Sequence, residues 1–161
     1  MDQHDPYWKL KPPAATPAEE TCSCAGKPPI VLQALLSHNP IVCVDCNLEV
    51  PPERLGFPEE LAEQVAFWRT FHDAFFTLWL DSGEFESWAR SQLSSVESPV
   101  NSRGLALRTR LNEHRSCYYW WFQDTTEATF QPMTGCPRCR LSLKERKNRL
   151  VCEACGILVA N

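Results

Sequence analysis

A chain of 161 residues, 43% hydrophobic and 11% aromatic, carries enough apolar material for one compact core or two small ones. A formal net charge of −4, from 16 Lys and Arg against 20 Asp and Glu, excludes a protein that coats nucleic acid over its whole surface. The apolar runs are too short to span a bilayer, and Met1 to Asp5 lack the basic start and apolar stretch of a secretory leader. The nine cysteines are therefore expected to act as thiolates in a reducing cytoplasm rather than as disulfides.

Residues 1–21 hold Pro6, Pro12, Pro13 and Pro17 among Ala, Thr and Glu, the composition of a flexible tail. Tyr7, Trp8 and Leu10 are its docking elements, toward this chain or a partner. Residues 22–50 open with Cys22-Ser-Cys24 and, eighteen residues later, reach Cys43-Val-Asp-Cys46. Between the pairs lie the apolar run Ile30 to Leu36, a turn at His38-Asn39-Pro40, and Ile41-Val42. A hairpin here gathers Cys22, Cys24, Cys43 and Cys46 into a four-thiolate site. The alternatives are free Cys22 and Cys24 with Cys43 in the core, or His38 replacing one thiolate.

Residues 51–134 form a helical middle. Pro58-Glu59-Glu60 opens a helix, with proline near its start and acids suited to the positive end of the dipole. Leu61, Val65, Trp68, Phe71, Phe75, Leu78 and Trp79 recur with helical spacing, and His72 among them is expected to be satisfied or exposed, not a ligand. Asp81-Ser-Gly83 interrupts. A shorter helix runs through Phe85, Trp88, Ala89 and Leu93, then Ser94 to Ser98 with Pro99 reads as a loop. A third helix is expected over about 102–114, through Leu105, Leu107 and Leu111. Cys117-Tyr-Tyr-Trp-Trp-Phe122 is an aromatic strand, either packed on both faces or, near Arg108, Arg110 and Arg115, a platform for single-stranded bases. Cys117 fits a buried structural thiol, because nothing around it supplies a base. Asp124 to Thr134 is a polar linker.

Residues 135–161 carry the most specific pattern: Cys136-Pro-Arg-Cys139, twelve residues, then Cys152-Glu-Ala-Cys155-Gly156. Two such turns joined by a hairpin present four thiolates in a tetrahedron, the geometry of structural zinc. Leu141-Ser-Leu143 and Arg149-Leu150-Val151 are the extended arms, residues 144–148 are the turn, and Gly156 suits a positive φ. Without a metal, about twenty residues would stand with almost no core. The fold class is thus α+β: an N-terminal zinc-knuckle hairpin, a helical middle with an aromatic strand, and a C-terminal zinc ribbon.

The order of these pieces, with Asn101-Ser-Arg-Gly104-Leu105 and Tyr118-Tyr119 between the eight paired cysteines, resembles a family of uncharacterised bacterial proteins. That family ends in a zinc ribbon and is described as a candidate for nucleic-acid binding. The likeness covers roughly residues 22–158. It departs in two places: the family carries a further domain before the first cysteine pair, and Arg140 stands where glycine is usual. The resemblance implies two zinc sites more strongly than it implies a role.

Three functions remain from the residues. Arg138, Arg140, Lys144, Arg146, Lys147 and Arg149, against Glu145 alone between them, give a basic hairpin suited to phosphates. The alternative is a protein-interaction or structural module in which zinc serves stability only. An enzyme is disfavoured, since both quartets read as closed and no phosphate-cradling loop, His-Glu-x-x-His helix or nucleophile elbow is present. Within that class, a single iron for electron transfer is the option the cysteines allow. No membrane partner and no small-molecule substrate is suggested.

Overall fold

The computed structural model describes residues 5–11, 14 and 16–160, with Ala160 described by its backbone. Helix α1 spans Glu59–Asp81, α2 Glu86–Ser94 and α3 Pro99–Asn112. In α1 the residues Leu61, Val65, Trp68, His72 and Trp79 fall on one buried face, as their spacing requires. Gly83, at φ 63°, turns the chain from α1 into α2. Helix α3 begins three residues before the expected start. Ser98 caps it, accepting a hydrogen bond from the Asn101 amide, and Pro99 occupies the first turn, where its missing N–H is no loss.

The strands are β1 (Ile30–Leu32), β2 (Ile41–Cys43), β3 (Cys117–Trp121), β4 (Lys144–Arg146), β5 (Arg149–Cys152) and β6 (Ile157–Ala160). They form one sheet in the order β2-β1-β3-β6-β5-β4. The aromatic strand β3 lies at its centre, parallel to β1 on one side and to β6 on the other, while the outer pairs are antiparallel. The two cysteine modules therefore belong to a single sheet, one on either side of β3. The α+β class, with a cysteine quartet toward each end and a helical middle, agrees with the expectation.

Side chains alternate across the sheet with period two. Ile30, Leu32, Ile41, Cys43, Cys117, Tyr119, Trp121, Cys152, Ile157 and Val159 face the helices and pack with Leu61, Val65, Trp68, Leu107 and Leu111. Val31, Val44, Tyr118, Val151 and Leu158 face the other way and are also buried, yet no helical residue joins their cluster. The sheet covers this face itself. Asp45 just after β2 and Lys147 in the β4–β5 turn meet at 3.1 Å, although they flank opposite edges of the sheet. Five flat inter-strand spacings would separate them by about 24 Å. The sheet is curled, and the ion pair closes its mouth.

That curl settles the two readings of the aromatic strand. Tyr118, Tyr119, Trp121 and Phe122 are all buried, one set under the helices and the other inside the curl, so their ring faces are taken by the core. Arg115, expected beside a stacking platform, is buried as well: its guanidinium donates to the carbonyls of Pro28 (2.7 Å) and Arg54 (3.2 Å). In the stretch expected to be a flexible tail, Trp8–Leu10 make one 3-10 turn with Leu10 fully buried. The Tyr7 hydroxyl donates to the Phe57 carbonyl at 2.6 Å, and Lys11 pairs with Asp5 (2.6 Å) and Glu53 (2.8 Å). Burial of Leu10 and these bonds hold that segment on this chain. Pro12 and Pro13 lie outside the described residues.

Candidate metal centres

The N-terminal quartet is built on the β2 hairpin. Strand β2 ends in Cys43, the chain turns through Cys46 and Asn47, and Leu48 to Val50 return alongside. The Cys43 amide donates to Leu48 O (2.9 Å), and the Val50 amide to Ile41 O (3.0 Å). Thr21 pairs with the returning Glu49, and the Cys22 amide donates to the Glu49 carbonyl at 2.7 Å, which brings the first pair to the second. Arg54, just ahead of α1, then locks the first pair by donating to the carbonyls of Cys22, Cys24 and Gly26. The four Sγ atoms lie within 4.8 Å of one another. His38 is exposed and outside the group, so the quartet is all cysteine.

The C-terminal quartet repeats the plan. Strand β5 ends in Cys152, the chain turns through Cys155 and Gly156, and β6 returns, pairing Ile157 with Cys152. The first knuckle is closed by the Cys136 amide on Leu141 O (2.8 Å), the Arg140 amide on Cys136 O (3.0 Å), and the Gly135–Ser142 bridge. Its four Sγ atoms also lie within 4.8 Å, with Cys139 and Cys152 at 3.6 Å. Four thiolates at a Zn–S distance near 2.3 Å around one ion stand about 3.8 Å apart, so the cage has the right size for a single tetrahedral metal.

Each of the three Cys-x-x-Cys knuckles is followed by a residue with positive φ: Asn47 at 60°, Arg140 at 66° and Gly156 at 62°. That geometry lets successive amides point at the sulfurs, and the position takes whichever residue the sequence offers. Gly156 carries a second constraint. A Cβ there would sit 1.9 Å from Cζ of Arg108, whose Nε donates to the Cys117 carbonyl at 2.6 Å. Arg108 thus clamps α3 onto the second knuckle and the central strand together.

The electrostatics favour a cation in each cage. The Leu141 amide, with its neighbouring thiols, lowers Cys139 to about 7. Burial and the crowding sulfurs push Cys155 up to about 12 and raise Cys152. Burial likewise raises Cys43 and Cys46. Four sulfurs this close cannot all ionise against one another, whereas a divalent ion among them makes all four thiolates favourable. Cys117, the ninth cysteine, lies outside both groups; burial pushes it up to about 12, consistent with a structural thiol. His72 is buried among Trp68 and Phe76, and burial pulls it down to about 4, so it is a neutral core residue.

The six cations of the C-terminal hairpin do not form one open surface. Lys147 pairs with Asp45. Arg146 donates to the Tyr118 hydroxyl (2.7 Å), lies over that ring, and stands 3.7 Å from Glu153. Arg149 is half-buried, and the sulfurs of Cys43 and Cys46 favour its charge against the burial that lowers its pKa. Arg138, Arg140 and Lys144 are exposed and have no acidic partner among the described residues. The clamps made by Arg54 and Arg108 and the pairing of Lys147 with Asp45 carry no signal in the sequence. Their partners are remote in the chain, and no local pattern marks them.

No family model, no curated protein and no solved structure matches the chain. What the molecule itself defines is a protein with two cysteine quartets, each able to hold one metal ion, in a single curled sheet. Among the described residues no helix is long and apolar enough to cross a membrane.

Proposed function

We propose that both quartets hold zinc as a structural ion and that the protein is a non-enzymatic interaction module, akin to the zinc-ribbon family it resembles in its motifs. The observation that carries this reading is where the sulfurs lie. Cys22, Cys43, Cys136 and Cys152 belong to the same buried cluster as Leu32, Tyr119 and Ile157, so each cage is a corner of the core and not the floor of an open cleft. A closed four-thiolate zinc keeps no position for substrate or water and contributes folding energy instead. The exposed rings of Phe67, Phe85 and Trp88 suit a protein partner better than a polyanion.

Nucleic-acid contact is the second reading, and one feature favours it. Arg138, Arg140 and Lys144 stay free on one hairpin and can meet phosphates. With Arg146 and Lys147 paired within the chain and Arg149 half-buried, about three contacts remain, which makes for a weak and salt-sensitive interaction. Native mass spectrometry with elemental analysis tests the first proposal: two zinc ions per chain are expected, and a folded apo chain or a coloured iron protein would overturn it. Retention on single- or double-stranded DNA and RNA, abolished by reversing Arg138, Arg140 and Lys144, would instead make the second reading the function.

A further inference from the structure

Outside the metal centres, an uncommitted feature of the described residues is a stripe of rings along one flank of α1. Phe67, Phe71 and Phe75 follow at four-residue steps, which places them on the same side of the helix. Phe71 and Phe75 meet edge to face at 5.1 Å, and Phe75 stacks on Trp88 of α2 at 5.5 Å. The stripe is unfinished: Phe67 is 64% exposed, and Phe85 and Trp88 are each 50% exposed. Apolar rings of this size left in water mark an interaction surface.

Two unpaired charges beside it indicate what covers it. Arg103 of α3 lies over Phe71 with its guanidinium carbon 4.8 Å from the ring centre, and it has no acidic partner among the described residues. Asp81, at the far end of α1, is exposed and has no cationic partner there either. Ten residues of helix separate Phe71 from Asp81, about 15 Å. Opposite charges thus stand beside Phe71 and at Asp81 with Phe75 between them, a pair that complements itself when a second copy is turned by 180°.

We propose that this flank of α1 is an isologous interface between two copies of the chain, with α1 antiparallel to α1 across a two-fold axis. The axis crosses the helix midway between Phe71 and Asp81. Each Arg103 then faces the other copy's Asp81, the Phe75–Trp88 pairs meet at the centre, and each Phe67 turns toward the other copy's Phe85. A two-fold interface of this kind needs no second surface and closes at two copies. It leaves both metal cages untouched, so its failure and the failure of the zinc proposal are separable.

The test is sedimentation of the full metal-loaded chain over a range of concentrations, with charge reversals at Arg103 and Asp81. Arg103→Glu places two acids together, and Asp81→Arg two cations; each is expected to weaken dimerisation about tenfold or more. The double variant Arg103→Glu, Asp81→Arg restores opposite charges and is expected to recover the original association to within a few-fold. Metal content and melting temperature, measured alongside, confirm that the variants are folded. A chain that stays monomeric at every concentration, or a dimer indifferent to both single reversals, or a double variant as weak as the singles, would overturn the two-fold assignment. A monomer that binds a different protein through this stripe counts among the overturning results.

Discussion

Gly104 offers the most direct check on the packing between α3 and the central strand. A Cβ added there would stand 2.2 Å from Cε2 of Tyr119, 2.6 Å from Cζ and 2.7 Å from the hydroxyl oxygen. Carbon atoms in contact sit about 3.5–4.0 Å apart, so the ring would have to retreat by more than an ångström. It has nowhere to go. Tyr119 is fully buried, its ring edges against Trp68 at 5.7 Å and Trp121 at 6.3 Å, and its hydroxyl donates to Asn101 Oδ1 at 2.9 Å. Asn101 in turn donates to the carbonyls of Leu93 and Ser95, both at 2.8 Å, which fixes the α2–α3 turn. Overpacking of this kind costs about 1–3 kcal/mol, and breaking the Tyr119–Asn101 bond leaves buried polar atoms unpaired at about 1–3 kcal/mol more. Alanine regains roughly 1 kcal/mol of helix propensity. Gly104→Ala should therefore destabilise by about 2–4 kcal/mol and lower the melting temperature by roughly 6–12 °C in a chain of this length. Thermal unfolding of the metal-loaded variant, followed by circular dichroism, measures it. A variant that melts at or above the parent would mean that Tyr119 does not lie under α3 as described.

Other outcomes follow from the knuckles and from His72. Arg140→Gly, which relieves a left-handed backbone at φ 66°, should stabilise the chain by about 0.5–1 kcal/mol in a denaturant titration; a loss of stability would show that the Arg140 side chain contributes more than its strain removes. Cys152→Ser should reduce bound metal from two ions to one, with the N-terminal cage retained, as read by elemental analysis; full metal content and unchanged melting would refute the C-terminal assignment. His72 titrates near 4 in the folded chain against about 6.5 unfolded, so the unfolded state binds the extra proton below pH 6.5. Stability is thus unaffected above pH 6.5 and falls as pH drops toward 4, by about 2 kcal/mol at pH 5. His72→Phe should remove that part of the acid loss, and parallel pH profiles for parent and variant would exclude it.

The cages were legible in the sequence because a metal site is written locally. Each knuckle is a few residues long, and its ligand spacing is visible without knowing the fold. The helices were legible through their apolar periodicity, although Ser98-Pro99, which has the composition of a loop, is a cap and first turn. The sheet was not legible. Strands β1, β3 and β6 pair in parallel across long connections, and parallel pairing leaves no turn to read. Aromatic residues on both faces of β3 pointed to two-sided burial, but the second cover is the sheet's own curl, a consequence of edges meeting at Asp45 and Lys147. The same non-local closure explains the basic hairpin. Six cations close in sequence suggested one surface, yet Arg146 finds partners on β3 and at the second knuckle, Lys147 pairs with Asp45 beside the N-terminal cage, and Arg149 is half-buried.

The position of the two quartets follows from the shortness of the strands. Three of the six, β1, β2 and β4, are only three residues long, at the short end of the usual range. Such a strand supplies few ladder hydrogen bonds against the backbone entropy of ordering it. A cysteine quartet at the end of β2 and another at the end of β5 draw the ends of these hairpins together, and an ion in either would hold them so. Strand β3 then bridges the hairpins, pairing with β1 through Cys117 to Tyr119 and with β6 through Tyr119 to Trp121. Tyr119 is the residue shared by both pairings, and it is also the one that α3 covers through Gly104 and Asn101. Opening either quartet would therefore loosen one side of a strand whose other side leads to the second. An ion in each quartet would act on one core, although the cysteines that could hold it lie toward opposite ends of the chain.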